Sequence, residues 1–303
     1  VLRNGTLTSV PVEPQPESPY APLARWFSIA VADDAVEVVG GARGGAHANY
    51  RWTVWSGTWS GDQPRLVELP QPFGVFGGWG AGDLTGVAFA GSEPVIAGAW
   101  QSERTGNDVS LWTRSGNRWG RLSSTGSPLG STPQALNGAR SITTTGDGLA
   151  LAGSVTELGG GRVSSEPALW TSPGANGPWR LTKLPADDPL AEAHAVRCSE
   201  EDCVAVGVDE GLLTIWDVRG TEVERATVPA KPVPRDQAVP APVTLRGEDF
   251  VAVGGSLLQR TPAGWVERTG PGGTPSAAAT AGDTLYVLTV EGDGRSRLWS
   301  AQP

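Results

Sequence analysis

The chain has 303 residues, with 32 acidic against 23 basic side chains, a formal charge of −9, 42 Gly, 25 Pro, 13 Trp, two Cys and no Met. The charge excludes a nucleic-acid backbone partner, which needs a concentrated basic face, and no apolar run reaches the roughly 18 to 20 residues of a membrane span. Abundant Gly and Pro among strand-forming residues, without a helical period, point to an all-β chain with many turns and essentially no helix.

In chain order, the first predicted element is the strand Thr6-Leu7-Thr8-Ser9-Val10-Pro11-Val12. After it, one phrase recurs: an apolar run ending in Gly, a strand carrying Trp or apolar residues, a turn, and a short amphipathic strand. The runs end at Gly40, Gly98, Gly153, Gly207 and Gly254, and a sixth copy, Leu285-Tyr286-Val287-Leu288-Thr289, lacks the Gly. Short strands repeating about every 40 to 50 residues are the mark of a β-propeller. Six four-stranded blades are predicted over 26–70, 85–125, 139–185, 193–229, 241–270 and 276–303, within one domain covering 1–303. The sixth stops one strand short, at Leu298-Trp299-Ser300. Because 6–12 resembles Arg65-Leu66-Val67-Glu68-Leu69-Pro70 and Arg180-Leu181-Thr182-Lys183-Leu184-Pro185, it is expected to complete the last blade and close the ring.

The tryptophans keep the same register. Trp55, Trp112, Trp170, Trp216 and Trp299 fall in third strands, and Trp119, Trp179 and Trp265 begin fourth strands. Equivalent placement in successive blades is the signature of packing between blades.

Cys198 and Cys203 flank a hairpin turn, where facing Cα atoms lie within reach of a disulfide. Zinc is the rival reading, but two cysteines with His194 nearby leave the metal short of ligands. A disulfide implies an oxidising, extracytoplasmic compartment. With Val1 rather than Met at its start, the chain is expected to be a mature or truncated product. Arginine is preferred over lysine, which occurs only at Lys183 and Lys231, and together with the Ala and Gly content this is the bias of a high-GC bacterial genome.

Two resemblances follow from these residues. The turn in Leu169-Trp170-Thr171-Ser172-Pro173-Gly174-Ala175-Asn176-Gly177-Pro178-Trp179, and more distantly Trp112-Thr113-Arg114-Ser115-Gly116-Asn117-Arg118-Trp119, resembles the Asp-box (BNR-like) pattern of sialidase-superfamily propellers, with the Asp missing in both. Cys198-Ser199-Glu200-Glu201-Asp202-Cys203-Val204-Ala205-Val206-Gly207 is similar to the Cys-x4-Cys-x-Ala-Val-Gly hairpin of secreted propellers in high-GC Gram-positive bacteria. The first resemblance implies the fold more than an activity, and the second implies export.

The loops joining second to third strands, and blade to blade, share one face of a propeller. On it blades 1 to 3 carry long excursions, whereas blades 4 and 5 carry short ones. Long loops gathered on one sector tend to have a use, so Arg43, His47, Tyr50, Phe73, Phe76, Trp79, Trp100 and Arg104 are the candidate ligand-binding residues, with Glu103 beside them. Phe73-Gly74-Val75-Phe76-Gly77-Gly78-Trp79-Gly80 is either a flat contact surface or packing over blades 1 and 2. No catalytic constellation emerges: the arginines Arg25, Arg43, Arg104 and Arg162 and the phenol of Tyr50 have no spacing that selects them as a sialidase site. On the opposite face the first hairpin turns carry Asp33, Asp34, Glu93, Asp147, Glu200, Glu201, Asp202, Glu248, Asp249 and Asp283. Asp is an ordinary turn former, and cationic partners or loosely held calcium are the alternative; no other metal or cofactor is expected.

The sequence therefore supports an exported, non-catalytic binding or protein-interaction scaffold with a protein or glycan ligand. The alternatives are a secreted sialidase-like glycoside hydrolase and the extracytoplasmic sensor domain of a membrane protein.

Overall fold

The computed structural model describes residues 2–3, 6–7, 9–44, 49–58, 64–78, 81–102, 104, 106–146, 148–200 and 202–302. Antiparallel sheets form six blades arranged as a β-propeller ring. Blade 1 consists of Arg25–Ala32, Ala35–Gly44, Asn49–Thr58 and Arg65–Glu68, and blade 2 of Ala81–Ala90, Glu93–Gln101, Asn107–Ser115 and Arg118–Arg121. Blade 3 runs through Ala135–Thr145, Gly148–Gly159, Arg162–Ser172 and Arg180–Lys183, and blade 4 through Glu192–Ser199, Asp202–Asp209, Leu212–Arg219 and Glu222–Arg225. Blade 5 is Val243–Leu245, Glu248–Val253, Ser256–Thr261 and Gly264–Thr269, and blade 6 is Thr274–Ala281, Thr284–Val290 and Ser296–Ala301. Two short helical pieces interrupt the β pattern: a 3-10 turn at Ala21–Leu23, started by Pro22, and a single α-turn at Phe73–Phe76 in the linker from blade 1 to blade 2.

The first hairpin of every blade closes with two residues, and the first of these has positive φ: Asp33, Gly91, Gly146, Glu200, Arg246 and Gly282. A two-residue loop of this kind matches the right-handed twist of its flanking strands. Gly, Asp and Asn reach that conformation most readily, which accounts for Asp33 and for the glycines at 91, 146 and 282. Glu200 and Arg246 adopt it without that advantage. In blade 4 the same hairpin is closed covalently. Cys198 faces Cys203 across the strands, and the two form a disulfide with their Cα atoms 4.0 Å apart.

Most of the core is divided into clusters lying between neighbouring blades, and the third-strand tryptophans of blades 2, 3 and 4 face the preceding blade. Trp112 packs with Val39 and Val54 of blade 1, Trp170 with Val95, Ala97 and Leu111 of blade 2, and Trp216 with Ala150, Ala152 and Leu169 of blade 3. Val206 and Ile215 meet Val251 and Leu258 between blades 4 and 5, and Phe250 and Leu257 meet Leu285 and Val287 between blades 5 and 6. A buried tryptophan removes on the order of 200 Å² from water, worth about 5 kcal/mol before the entropy of ordering it. Charge follows the same geometry: Arg114 of blade 2 reaches the buried Glu37 of blade 1 at 2.7 Å. Burial pushes the Glu37 carboxyl up, against the pull of Ser56 and Arg114.

The N-terminal segment departs from expectation. It does not complete blade 6. Thr6–Leu7 pairs with Leu2–Arg3, and Val12–Glu13 runs parallel to Arg65–Glu68, with Val12 opposite Leu66. Blade 1 thereby gains a fifth strand, and blade 6 has three among the described residues. The physical reason is an apolar surface on blade 1, where Val36, Val38, Trp55 and Leu66 are covered by Val10, Ala21 and Ala24. A polar clasp secures the segment: the buried Glu68 carboxylate accepts the Gln15 backbone N–H at 2.9 Å and the Ser18 hydroxyl at 2.8 Å. Among the described residues no apolar cluster is shared by blades 6 and 1. Phe27, Ile29 and Val31 on the first strand of blade 1 stay exposed, as do Leu288, Val290 and Leu298 on blade 6.

Candidate functional site

On blade 1, at the end where the second-to-third-strand loop and the blade connectors emerge, lies an open cleft of about 780 Å³. Residues 15–20 form one wall, the linker 70–73 with Phe76 forms the other, and Arg51 to Val54 of the third strand form the base. Alternation along that strand sends Trp52 and Val54 toward blade 2 and leaves Arg51, Thr53 and Trp55 on the opposite side.

Glycines in the neighbouring strand make room for the rings. A Cβ at Gly41 would stand 2.5 Å from the Tyr50 ring, and one at Gly44 would stand 2.2 Å from Tyr20, so both aromatics lie flush on backbone. Tyr50 then stacks on Trp52 with centroids 4.3 Å apart, and Phe27 meets Trp52 edge-on at 5.4 Å. Trp52 is fixed by its indole N–H, which donates to the Gly82 carbonyl at 3.2 Å. From the other side of the same strand the Arg51 guanidinium reaches to 5.0 Å from the Phe73 centroid and 6.0 Å from that of Tyr20. Phe73 itself is 62% exposed.

The structure separates the sequence-derived candidates. Tyr50 and Phe73 belong to this aromatic group, and Arg43 is exposed on the adjoining second strand. Arg104 is exposed in the turn 102–106 of blade 2. Phe76 and Trp100 are buried: Phe76 lies 5.7 Å from Trp112 and Trp100 lies 5.1 Å from it, within the core between blades 1 and 2. Both pack there, and Phe76 also lines the wall of the cleft. His47, Trp79 and Glu103 lie outside the described residues. Tyr20, Arg51 and Trp52 were not selected by the sequence. Arg51 follows Tyr50 in a strand and carries no local mark; only the two connectors, distant in sequence, give it its surroundings.

A second cleft, of about 700 Å³, lies among blades 3 and 4 and the connectors around blade 4, where Arg140, Glu192, His194, Asp187, Asp188 and Arg235 meet. Most of its charge is committed. Arg140 is paired with Glu192, and Arg225 bridges Asp187 at 2.6 Å and the buried Asp209 at 2.8 Å. Asp209 also accepts the backbone N–H groups of Asp187 and Asp188. His194 Nδ1 accepts the Val239 N–H at 3.1 Å, which leaves its Nε2 facing Glu192 at 3.8 Å. The imidazole of His194 facing it, with Arg140 beside it, holds the Glu192 carboxyl below the usual range. These groups knot the connectors together and give no nucleophile with an oriented base.

On the opposite face Asp249, Glu248 and Asp283 have polar or cationic partners. Asp249 accepts from Arg197 at 2.9 Å and Thr244 at 2.7 Å, Glu248 accepts from Gln259, and Asp283 pairs with Arg246 at 3.3 Å. Asp147 and Glu201 lie outside the described residues. Among the described residues no three His, Cys, Asp or Glu side chains are grouped to hold a metal ion, and no helix is long and apolar enough to cross a membrane.

No family model matches this chain, and no curated protein does. Solved structures are similar to it in fold. YjhT aligns with a TM-score of 0.56 at 11% identity, over 93% of this chain and 95% of that one. U3-55K aligns with a TM-score of 0.53 at 11% identity, over 91% and 77% respectively. YCF48 bound to D1 peptide aligns with a TM-score of 0.52 at 14% identity, over 97% and 84%. At these identities the likeness shows the propeller fold alone.

Proposed function

We propose that this chain is an exported, non-catalytic binding scaffold that holds a segment of a partner protein in the aromatic cleft of blade 1. One observation carries the reading: exposed Phe73, half-buried Tyr20 and Trp52, and the Arg51 guanidinium line one open cleft, with Tyr50 packed on Trp52 beside it and Gly44 clearing the space under Tyr20. Rigid aromatics supply contact area at low entropic cost, and they are enriched where proteins bind proteins. Arg43 extends the surface on the same blade. The disulfide fits an oxidising compartment and supports export. The solved YCF48 structure holds a D1 peptide, and a peptide is the class of ligand to test first on this chain.

The test is an array of 12-residue peptides probed with the wild-type protein and with Phe73→Ala. Peptides that bind the wild type and lose binding in the variant, at an unchanged melting temperature, support the reading. Hydrolysis of fluorogenic sialosides or other glycosides by the wild type would overturn it in favour of a sialidase-like hydrolase.

A further inference from the structure

Resting on that reading of the cleft, we infer that Arg51 is the anchor for a carboxylate of the bound segment. The comparison with the other half-buried arginines carries the argument. Arg114 is paired with Glu37, Arg197 with Asp249, Arg225 with Asp187 and Asp209, and Arg260 with Asp217 and Asp249. Arg51 is half-buried like them, and among the described residues its only partners are the rings of Phe73 and Tyr20. A guanidinium removed from much of its water without a counter-ion is an unfilled electrostatic demand.

The two rings leave that demand open to a particular partner. They attract the guanidinium by its charge and accept no conventional hydrogen bond from it, so the edge that carries the N–H donors stays available to a planar acceptor. A carboxylate meets such an edge with two parallel hydrogen bonds. The carboxylates already lining the cleft do not answer it: Glu68 is occupied by Gln15 and Ser18, and Glu17 stands exposed at the rim. Those two negative charges and the single cation also select a monoanion over a phosphate dianion, which requires more positive charge than one arginine supplies. Burying the new ion pair against Phe73 strengthens it, because the ring keeps water from one side.

The carboxylate can come from an Asp or Glu side chain or from a chain terminus. The peptide array therefore carries each sequence in four forms: acidic side chains or their Asn and Gln isosteres, each with a free or an amidated C-terminus. The expected result is that peptides sensitive to Phe73→Ala lose about 10- to 100-fold in affinity when the responsible carboxylate becomes an amide. Arg51→Gln should cause the same loss and erase the difference between acid and amide, while Arg51→Lys, at an unchanged melting temperature, keeps part of it. Binding that is sensitive to Phe73→Ala but indifferent to the amide forms and to Arg51→Gln would overturn the Arg51 inference and leave the cleft reading standing. An array on which nothing depends on Phe73 would overturn both.

Discussion

Trp216 and Trp55 occupy equivalent positions in their blades, yet they are buried by different means. Trp216 lies against the sheet of blade 3, and its indole N–H donates to the Pro185 carbonyl in the connector at 2.8 Å. Trp55 lies under Val10, Ala21 and Ala24, and its N–H turns back to Thr53 of its own strand at 3.0 Å. In one interface a blade covers its neighbour; in the other a length of irregular chain does. The repeat thus specifies a face to be buried but not the element that buries it. The face of blade 1 accepts a proline-rich strap in place of a sheet because Glu68 and the apolar row beside it fix that strap by its backbone.

This contrast can be tested by a graded series. Trp216→Ala should cost about 3–5 kcal/mol of unfolding free energy in a urea titration. Trp55→Ala should fall at the lower end of that range, because an irregular strap settles into a cavity more readily than a sheet; equal losses would show that the strap is as rigid as a blade. Replacing Cys198 and Cys203 by Ser removes the closure of blade 4 and should lower stability by roughly 2 kcal/mol on the chain-entropy model, with no effect on peptide binding at blade 1. Glu68→Gln weakens the clasp and should cost about 1 kcal/mol, accompanied by faster proteolysis between residues 9 and 24.

Acidity gives a smaller effect of the opposite sign to that of most carboxylates. The folded-state pKa of Glu37 is raised above 4.5. Its contribution to stability is therefore fully present below 4.5 and lost as pH rises through the folded-state value. Acidifying from neutrality toward 4.5 should stabilise the wild type relative to Glu37→Gln, as read from paired denaturation midpoints. The least effect is expected at the open face of blade 1, where Ile29→Lys and Val31→Lys should each change stability by under about 0.5 kcal/mol. A loss of 2 kcal/mol or more would mean that another sheet covers these residues in solution.

The ring of blades was legible because its causes are local and repeated: a Gly-ended apolar run, a tryptophan in the third strand and a two-residue turn recur with the blade. The disulfide was legible because a hairpin fixes which residues face each other. The fate of residues 6–12 was not, since a strand pattern announces an edge to be paired without saying which edge. Sequence alone leaves the linker aromatics open between contact surface and packing; the α-turn at Phe73–Phe76 sets Phe76 against Trp112 and leaves Phe73 exposed. Arg51 stayed hidden for the same kind of reason, as its environment comes from residues 31 positions before it and 22 after.

The glycine at position 44 carries a consequence for how such a cleft can change. Tyr20 rests where a Cβ at Gly44 would be, 2.2 Å from its ring. Any side chain there must displace the tyrosine and, with it, one of the two rings that flank Arg51. The cleft can therefore be reshaped without altering a single residue that lines it, through a backbone position beneath one of its rings. Divergence among chains of this design would be expected to appear first as exchange of small residues beneath the aromatics, with the aromatics themselves following.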